Sequence, residues 1–95
     1  MLTKLNQKHT RCLICGFDWR IPLVECRYEI CDCCGVELNN EYEPDGSTSP
    51  QQIVAIRNEW LESGATWFTK GNKPEVWTKE KALEQIKANV PKEFQ

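Results

Sequence analysis

"CLICGFDWRIPLVECRYEICDCCG", residues Cys12 to Gly35, contains the same five-residue pattern at each end. Cys12-Leu13-Ile14-Cys15-Gly16 and Cys31-Asp32-Cys33-Cys34-Gly35 are both C-x-x-C-G, with fifteen residues between Cys15 and Cys31. This spacing matches a four-cysteine metal site. Two thiolates three positions apart grip one ion if the chain between them turns tightly, and the following glycine permits that turn. Two such knuckles complete a tetrahedron of sulfurs at about 2.3 Å from Zn²⁺. Cys12, Cys15, Cys31 and Cys34 are therefore the expected ligands of one zinc ion. Four thiolates leave no open position for water, so the expected role is structural. A redox dithiol needs one pair opening a helix in a thioredoxin-like setting, which two glycine-ended pairs do not match. A rubredoxin-like iron site would use the same ligands, and the spacing leaves iron open.

The remaining candidates read more plainly. Cys33 occupies a middle position of the second knuckle, pointing away from the ion. Cys26 falls in an expected strand, ECRYEI. Both read as small buried thiols, with an alternative ligand register or an oxidation-sensitive pair as the sharper readings. His9, three positions before Cys12, reads as a solvated residue rather than a substitute ligand.

Composition and charge narrow the class. A chain of 95 residues supports one compact domain with a modest core, which favours a metal staple. The opening MLTKLNQKHTRC has no apolar run of signal-peptide kind, and no stretch is apolar for the ~18 residues of a membrane span. The expectation is a cytoplasmic, reducing location, where clustered cysteines bind metal rather than pair. The net charge of −2 is unevenly spread. Residues 1–24 carry Lys4, Lys8, Arg11 and Arg20 against Asp18. Residues 25–48 carry Glu25, Glu29, Asp32, Glu37, Glu41, Glu43 and Asp45 against Arg27 alone. That acidic block repels a nucleic-acid backbone and suits a cationic partner.

The chain is read as a single domain over 1–95, with a zinc ribbon at 9–38, an acidic, turn-rich connector at 39–48 and a helical tail at 49–95. The expected fold class is α+β: a small zinc ribbon of short antiparallel strands, followed by two helices packed on it. Ser49 is a natural N-cap, Gln52 completes a capping box and Pro50 suits the first helical position. Ile53, Ile56 and Trp60 form the apolar stripe with Val54 and Leu61 beside it, Arg57, Glu59 and Glu62 lie outside it, and Gly64 ends the helix. Gly71 and Pro74 interrupt Ala65–Trp77, predicting an irregular connector. A second helix is expected from Thr78 as N-cap, with Ala82, Leu83, Ile86 and Val90 as its apolar face, stopping before Pro91. Trp60, Trp67, Phe68 and Trp77 are expected to pack the helices on the ribbon, with Trp19 more exposed. Arg57 is expected to pair with a carboxylate of the acidic segment. No repeat longer than the cysteine pattern is legible.

The run from Tyr28 to Leu38, the acidic stretch after it, RNEWLESGATWF and KPEVW together resemble small bacterial cysteine-rich proteins of the "CPCC" kind. The resemblance covers about residues 12–78, and Arg57, Trp60, Gly64, Trp67, Phe68, Pro74 and Trp77 match its tail pattern. Asp32 replaces the usual proline of the knuckle, and Leu38-Asn39 replaces the usual Phe-Gly. Many such proteins resemble immunity proteins encoded beside polymorphic toxins, so the resemblance implies binding and neutralising a toxin domain.

Three function classes compete. The leading one is a protein-binding module of immunity type, with a toxin domain, such as a nuclease, as cognate partner. Glu37, Glu41, Tyr42, Glu43 and Asp45 are its nominated partner-binding patch. The alternative is a nucleic-acid-binding zinc-ribbon regulatory factor, using Lys4, Lys8, Arg11 and Arg20 with Trp19 as a stacking platform. Those charges are sparse, which makes nucleic acid the weaker partner. An enzyme is the least supported, because His9 is the only histidine and no nucleophile triad or phosphate loop is present.

Overall fold

A computed structural model describes residues 7–95. Lys4 of the basic set lies outside them. The element order is a 3-10 turn at Leu23–Glu25, helix α1 at Pro50–Glu62, a 3-10 turn at Lys70–Asn72, helix α2 at Lys79–Asn89 and a 3-10 turn at Lys92–Phe94.

The expected α+β ribbon is not formed. Among the described residues there is no strand and no sheet, only isolated bridges at Arg11 with Asp18, Ile30 with Glu37 and Leu38 with Tyr42. The reason lies just past each knuckle. After Arg11 meets Asp18, Trp19 N–H donates to Thr10 C=O at 2.8 Å, and then Arg20 turns left-handed at φ 66°. After Ile30 meets Glu37, Leu38 N–H donates to Glu29 C=O at 3.0 Å, and then Asn39 turns left-handed at φ 67°. Each ladder is bent away before a strand can propagate. Asp18 Oδ1 accepts from Arg20 N–H at 2.9 Å and holds the first bend. Asparagine tolerates the second.

These matches expose a repeat that the residues hide. Cys12 N–H donates to Phe17 C=O and Gly16 N–H to Cys12 C=O; Cys31 N–H donates to Val36 C=O and Gly35 N–H to Cys31 C=O. The Arg11–Asp18 and Ile30–Glu37 bridges, the positive-φ Gly16 and Gly35, and the left-handed Arg20 and Asn39 recur at the same offset that separates Cys12 from Cys31. The two units share a backbone path although their side chains outside C-x-x-C-G differ.

The helices start where the caps direct. Ser49 Oγ accepts from Gln52 N–H at 3.2 Å, and Thr78 Oγ1 accepts from Lys81 N–H at 3.1 Å. The capping box is half formed, since Ser49 Oγ donates to Gln52 Oε1 at 3.5 Å. Gly64 at φ 106° follows α1, and α2 stops before Pro91. Ile53 and Trp60 on α1, and Ala82 and Ile86 on α2, are buried in one core with the cysteines. Leu83, expected on the buried face of α2, is 46% exposed, because that stripe follows Ala82, Ile86 and Val90 instead. The expected strand around Cys26 is absent: Cys26 caps a 3-10 turn and its thiol donates to Pro22 C=O at 3.4 Å.

The tryptophans join the halves. Trp67 meets Phe17 edge-on with centroids 5.5 Å apart and meets Trp77 at 5.0 Å, and Trp77 lies 6.5 Å from Trp60. All three indole N–H groups donate into the connector, to Thr66 C=O, Asn72 Oδ1 and Ala65 C=O. Phe68 departs from the expected core. It is half-exposed, with its ring over Gly35.

Candidate metal centre

The two knuckles bring Cys12, Cys15, Cys31 and Cys34 together, with all four sulfurs within 4.8 Å of one another. Cys12 Sγ lies 3.9 Å from Cys34 Sγ, and Cys15 Sγ lies 3.7 Å from Cys31 Sγ. A tetrahedron with metal–sulfur bonds of about 2.3 Å has edges of about 3.8 Å. The four thiols are thus placed to hold one metal ion. All six cysteines are free of disulfide bonds. Cys12, Cys15 and Cys31 are fully buried, whereas Cys34 is partly exposed.

Electrostatics favour a cation at the centre. Burial pushes the Cys15 and Cys34 thiols well above the ordinary range, and hydrogen bonding with the neighbouring thiols reinforces the rise at Cys15. Burial also opposes ionisation at Cys12, but hydrogen bonds from the other thiols and from Tyr42 outweigh it and hold that thiol low. One thiolate is thereby stabilised by its protonated neighbours. Ionising all four requires a positive ion among them.

A second ring of groups fixes the knuckles from the helices. Arg57, on α1, is buried. Its Nε donates to Ile14 C=O at 2.7 Å, and its Nη2 donates to Leu13 C=O at 2.7 Å and Phe94 C=O at 2.6 Å. The expected ion pair with the acidic segment is therefore replaced by carbonyl binding. The planar guanidinium ties the first knuckle to the C-terminal turn, which an isolated carboxylate contact would not do. Gln85 Nε2 donates to Cys15 C=O at 2.8 Å, and Asn89 Nδ2 donates to Gly16 C=O at 3.0 Å. Gln85 Nε2 also reaches the buried Cys33 Sγ at 3.5 Å, so Cys33 faces α2 and stands outside the ligand set.

The second knuckle is held by the connector. Phe68 N–H donates to Cys33 C=O at 3.0 Å and Thr69 N–H to Asp32 C=O at 2.9 Å. The Asp32 carboxylate accepts from Thr69 Oγ1 at 2.9 Å and from Asn72 Nδ2 at 2.8 Å. Asp32 thus adds a polar strut to this knuckle.

Tyr42 is the largest departure within the nominated patch. Its ring is buried; its hydroxyl donates to Cys12 Sγ at 3.4 Å and accepts from Leu13 N–H at 3.1 Å. The side chain belongs to the surroundings of the metal centre. Glu41, Glu43 and Asp45 are exposed around it, and Glu37 is half-buried. Local bonds order this segment: Glu41 Oε2 accepts from Glu37 N–H at 3.0 Å, Glu43 Oε1 from Asn39 Nδ2 at 3.1 Å, and Glu43 N–H donates to Thr48 Oγ1 at 2.8 Å. His9 is half-buried and distinct from the four-sulfur cluster, and burial lowers its pKa.

Sequence reading did not find Tyr42, Arg57, Gln85 or Asn89 as neighbours of the site. Each reaches it from another part of the chain, with no local pattern to mark it. Arg57 alone carried a signal, as a cation one turn from Trp60 on a core-facing helix.

The fold and site define a module with four cysteines placed to bind one metal ion, its first knuckle clamped by both helices and its second held by the connector. No family model matches the chain, and no curated protein and no solved structure matches it either. No helix among the described residues is long and apolar enough to cross a membrane.

Proposed function

We propose that this chain is a zinc-stapled protein-binding module, without catalytic activity, whose acidic segment receives a basic surface of another protein. One observation carries the reading. The segment bearing Glu41, Glu43 and Asp45 is anchored at Tyr42 to Cys12, one of the four clustered cysteines, so exposed carboxylates are displayed beside the candidate metal site. A closed set of four thiolates suits a structural Zn²⁺ and gives substrate no open coordination position. Four thiolates with one divalent ion carry a net −2, which adds to the field of the acidic segment. Reduced cysteines fit a cytoplasmic setting.

The specific form of this proposal is an immunity-type protein that neutralises a bacterial toxin domain, since an acidic surface suits the basic cleft of a nuclease. It rests on the acidic block and on the resemblance to the CPCC-type proteins. The test is co-purification with the product of a neighbouring toxin-like gene, repeated with Glu41→Lys and Glu43→Lys. Capture lost with both reversals, in protein that keeps its metal, supports the reading. Capture unchanged by them discards the acidic segment as the interface.

A further inference from the structure

A cleft of about 250 Å³ opens beside the metal centre, between the second knuckle and α1. Val36, Ile56 and Trp60 give it apolar walls; Cys34, Glu41 and Glu59 give it acceptors, and no basic side chain lines it. Its volume is below the ~300 Å³ at which small-molecule pockets begin, and suits one inserted side chain. Cys34 is the only one of the four clustered cysteines that is not fully buried, and it lines the cleft. Glu41 is held in place by the Glu37 N–H, and Glu59 is exposed on α1.

We infer that this cleft takes an arginine side chain presented by a protein partner. The inference rests on the protein-binding reading and names the chemistry of its anchor. An apolar-walled cleft alone would accept an aliphatic residue, but here every charged group at its edge is negative. A metal-loaded centre with four thiolates adds to that charge. An arginine stem packs on Val36 and Ile56, and its guanidinium can lie against Trp60 while donating to two carboxylates and a thiolate. A lysine ammonium is a point charge and serves those separated acceptors less well.

The test uses the zinc-loaded chain and N-acetyl-arginine methylamide as probe, followed by NMR at the Trp60 indole N–H and the Gly35 and Val36 amides. The neutral isostere N-acetyl-citrulline methylamide is the control. A cadmium-loaded sample reports bonding at Cys34 through the metal resonance. The expected result is saturable change at these positions, with affinity on the order of millimolar, and none with the citrulline probe. Glu59→Gln and Glu41→Gln should each weaken uptake about threefold, with metal content unchanged. Equal response to citrulline, or shifts confined to Glu43 and Asp45, would overturn the inference. Partner capture that depends on Glu43 but ignores Glu59→Gln also overturns it and leaves the binding-module reading standing. Probe uptake by the cleft in a chain that captures no partner overturns that earlier reading alone.

Discussion

The hydroxyl of Tyr42 donates to the sulfur of Cys12 at 3.4 Å, across 30 residues of sequence. The same oxygen accepts from the Leu13 N–H at 3.1 Å, inside the first knuckle. A residue in the acidic segment is thus part of the immediate surroundings of the four-cysteine cluster, which ties that segment to the first knuckle.

Tyr42→Phe should separate these roles. The variant keeps the ring packing but leaves the buried Leu13 N–H unpaired, at a cost of about 1–3 kcal/mol. Loss of such a neighbour to a ligand should weaken metal affinity about 10- to 100-fold, read by competition with a chromophoric chelator. Tyr42 also sets an alkaline limit. Burial first, and the charge at Cys12 next, raise its pKa well above the ordinary 10.0. Its neutral form contributes fully below pH 10.0, and the contribution is lost as pH rises toward the folded value. Thermal unfolding of the wild type should show this alkaline decline, and Tyr42→Phe should lessen it.

Metal content is the most direct check on the centre. Elemental analysis should give about one zinc per chain, and iron or no metal would overturn the zinc assignment. Serine at Cys12, Cys15, Cys31 or Cys34 should abolish tight binding, whereas alanine at Cys33 or Cys26 should retain it. Chelation should unfold the first half, seen as loss of near-ultraviolet dichroism. Affinity should fall as pH falls, because protons compete for thiolates that burial already disfavours.

Arg57→Ala should be among the most damaging changes outside the cysteines. It removes donors from the carbonyls of Leu13, Ile14 and Phe94 in a buried setting, at a cost of about 3 kcal/mol or more. Arg57→Lys should rescue little, because one ammonium cannot reproduce the fork. Urea unfolding of the metal-loaded variants measures both, and a loss under 1 kcal/mol for Arg57→Ala would refute the clamp.

The two knuckle glycines should differ under alanine substitution. Both have positive φ, at 81° for Gly16 and 79° for Gly35, which costs about 1 kcal/mol for a residue with a β-carbon. A β-carbon on Gly16 would also stand 2.7 Å from the backbone oxygen of Gln85, on α2. On Gly35 it would meet the Phe68 ring at 2.7 Å, and that ring is half-exposed and free to swing. Gly16→Ala should therefore lower the melting temperature more than Gly35→Ala.

What local chemistry specifies could be read directly. The ligand set follows from C-x-x-C-G spacing, because two sulfurs on one tight turn need only the residues between them. Helix starts at Ser49 and Thr78 follow from side chains capping their own first turn. Strand reading failed around Arg20 and Asn39 because two left-handed residues cut the ladders short, and neither is glycine. The hidden repeat escaped notice for a related reason: backbone hydrogen bonds conserve its shape while its side chains diverge.

By itself the sequence determined which four cysteines could share a metal ion, the two helices and the acidic character of residues 25–48, since each depends on neighbours within a few positions or on composition. Only the tertiary structure decided where Arg57, Tyr42, Gln85 and Asn89 act. Their partners are backbone carbonyls, an amide and a sulfur that carry no residue-specific pattern. Those groups become distinctive only once folding has removed them from water and left each in need of a hydrogen bond.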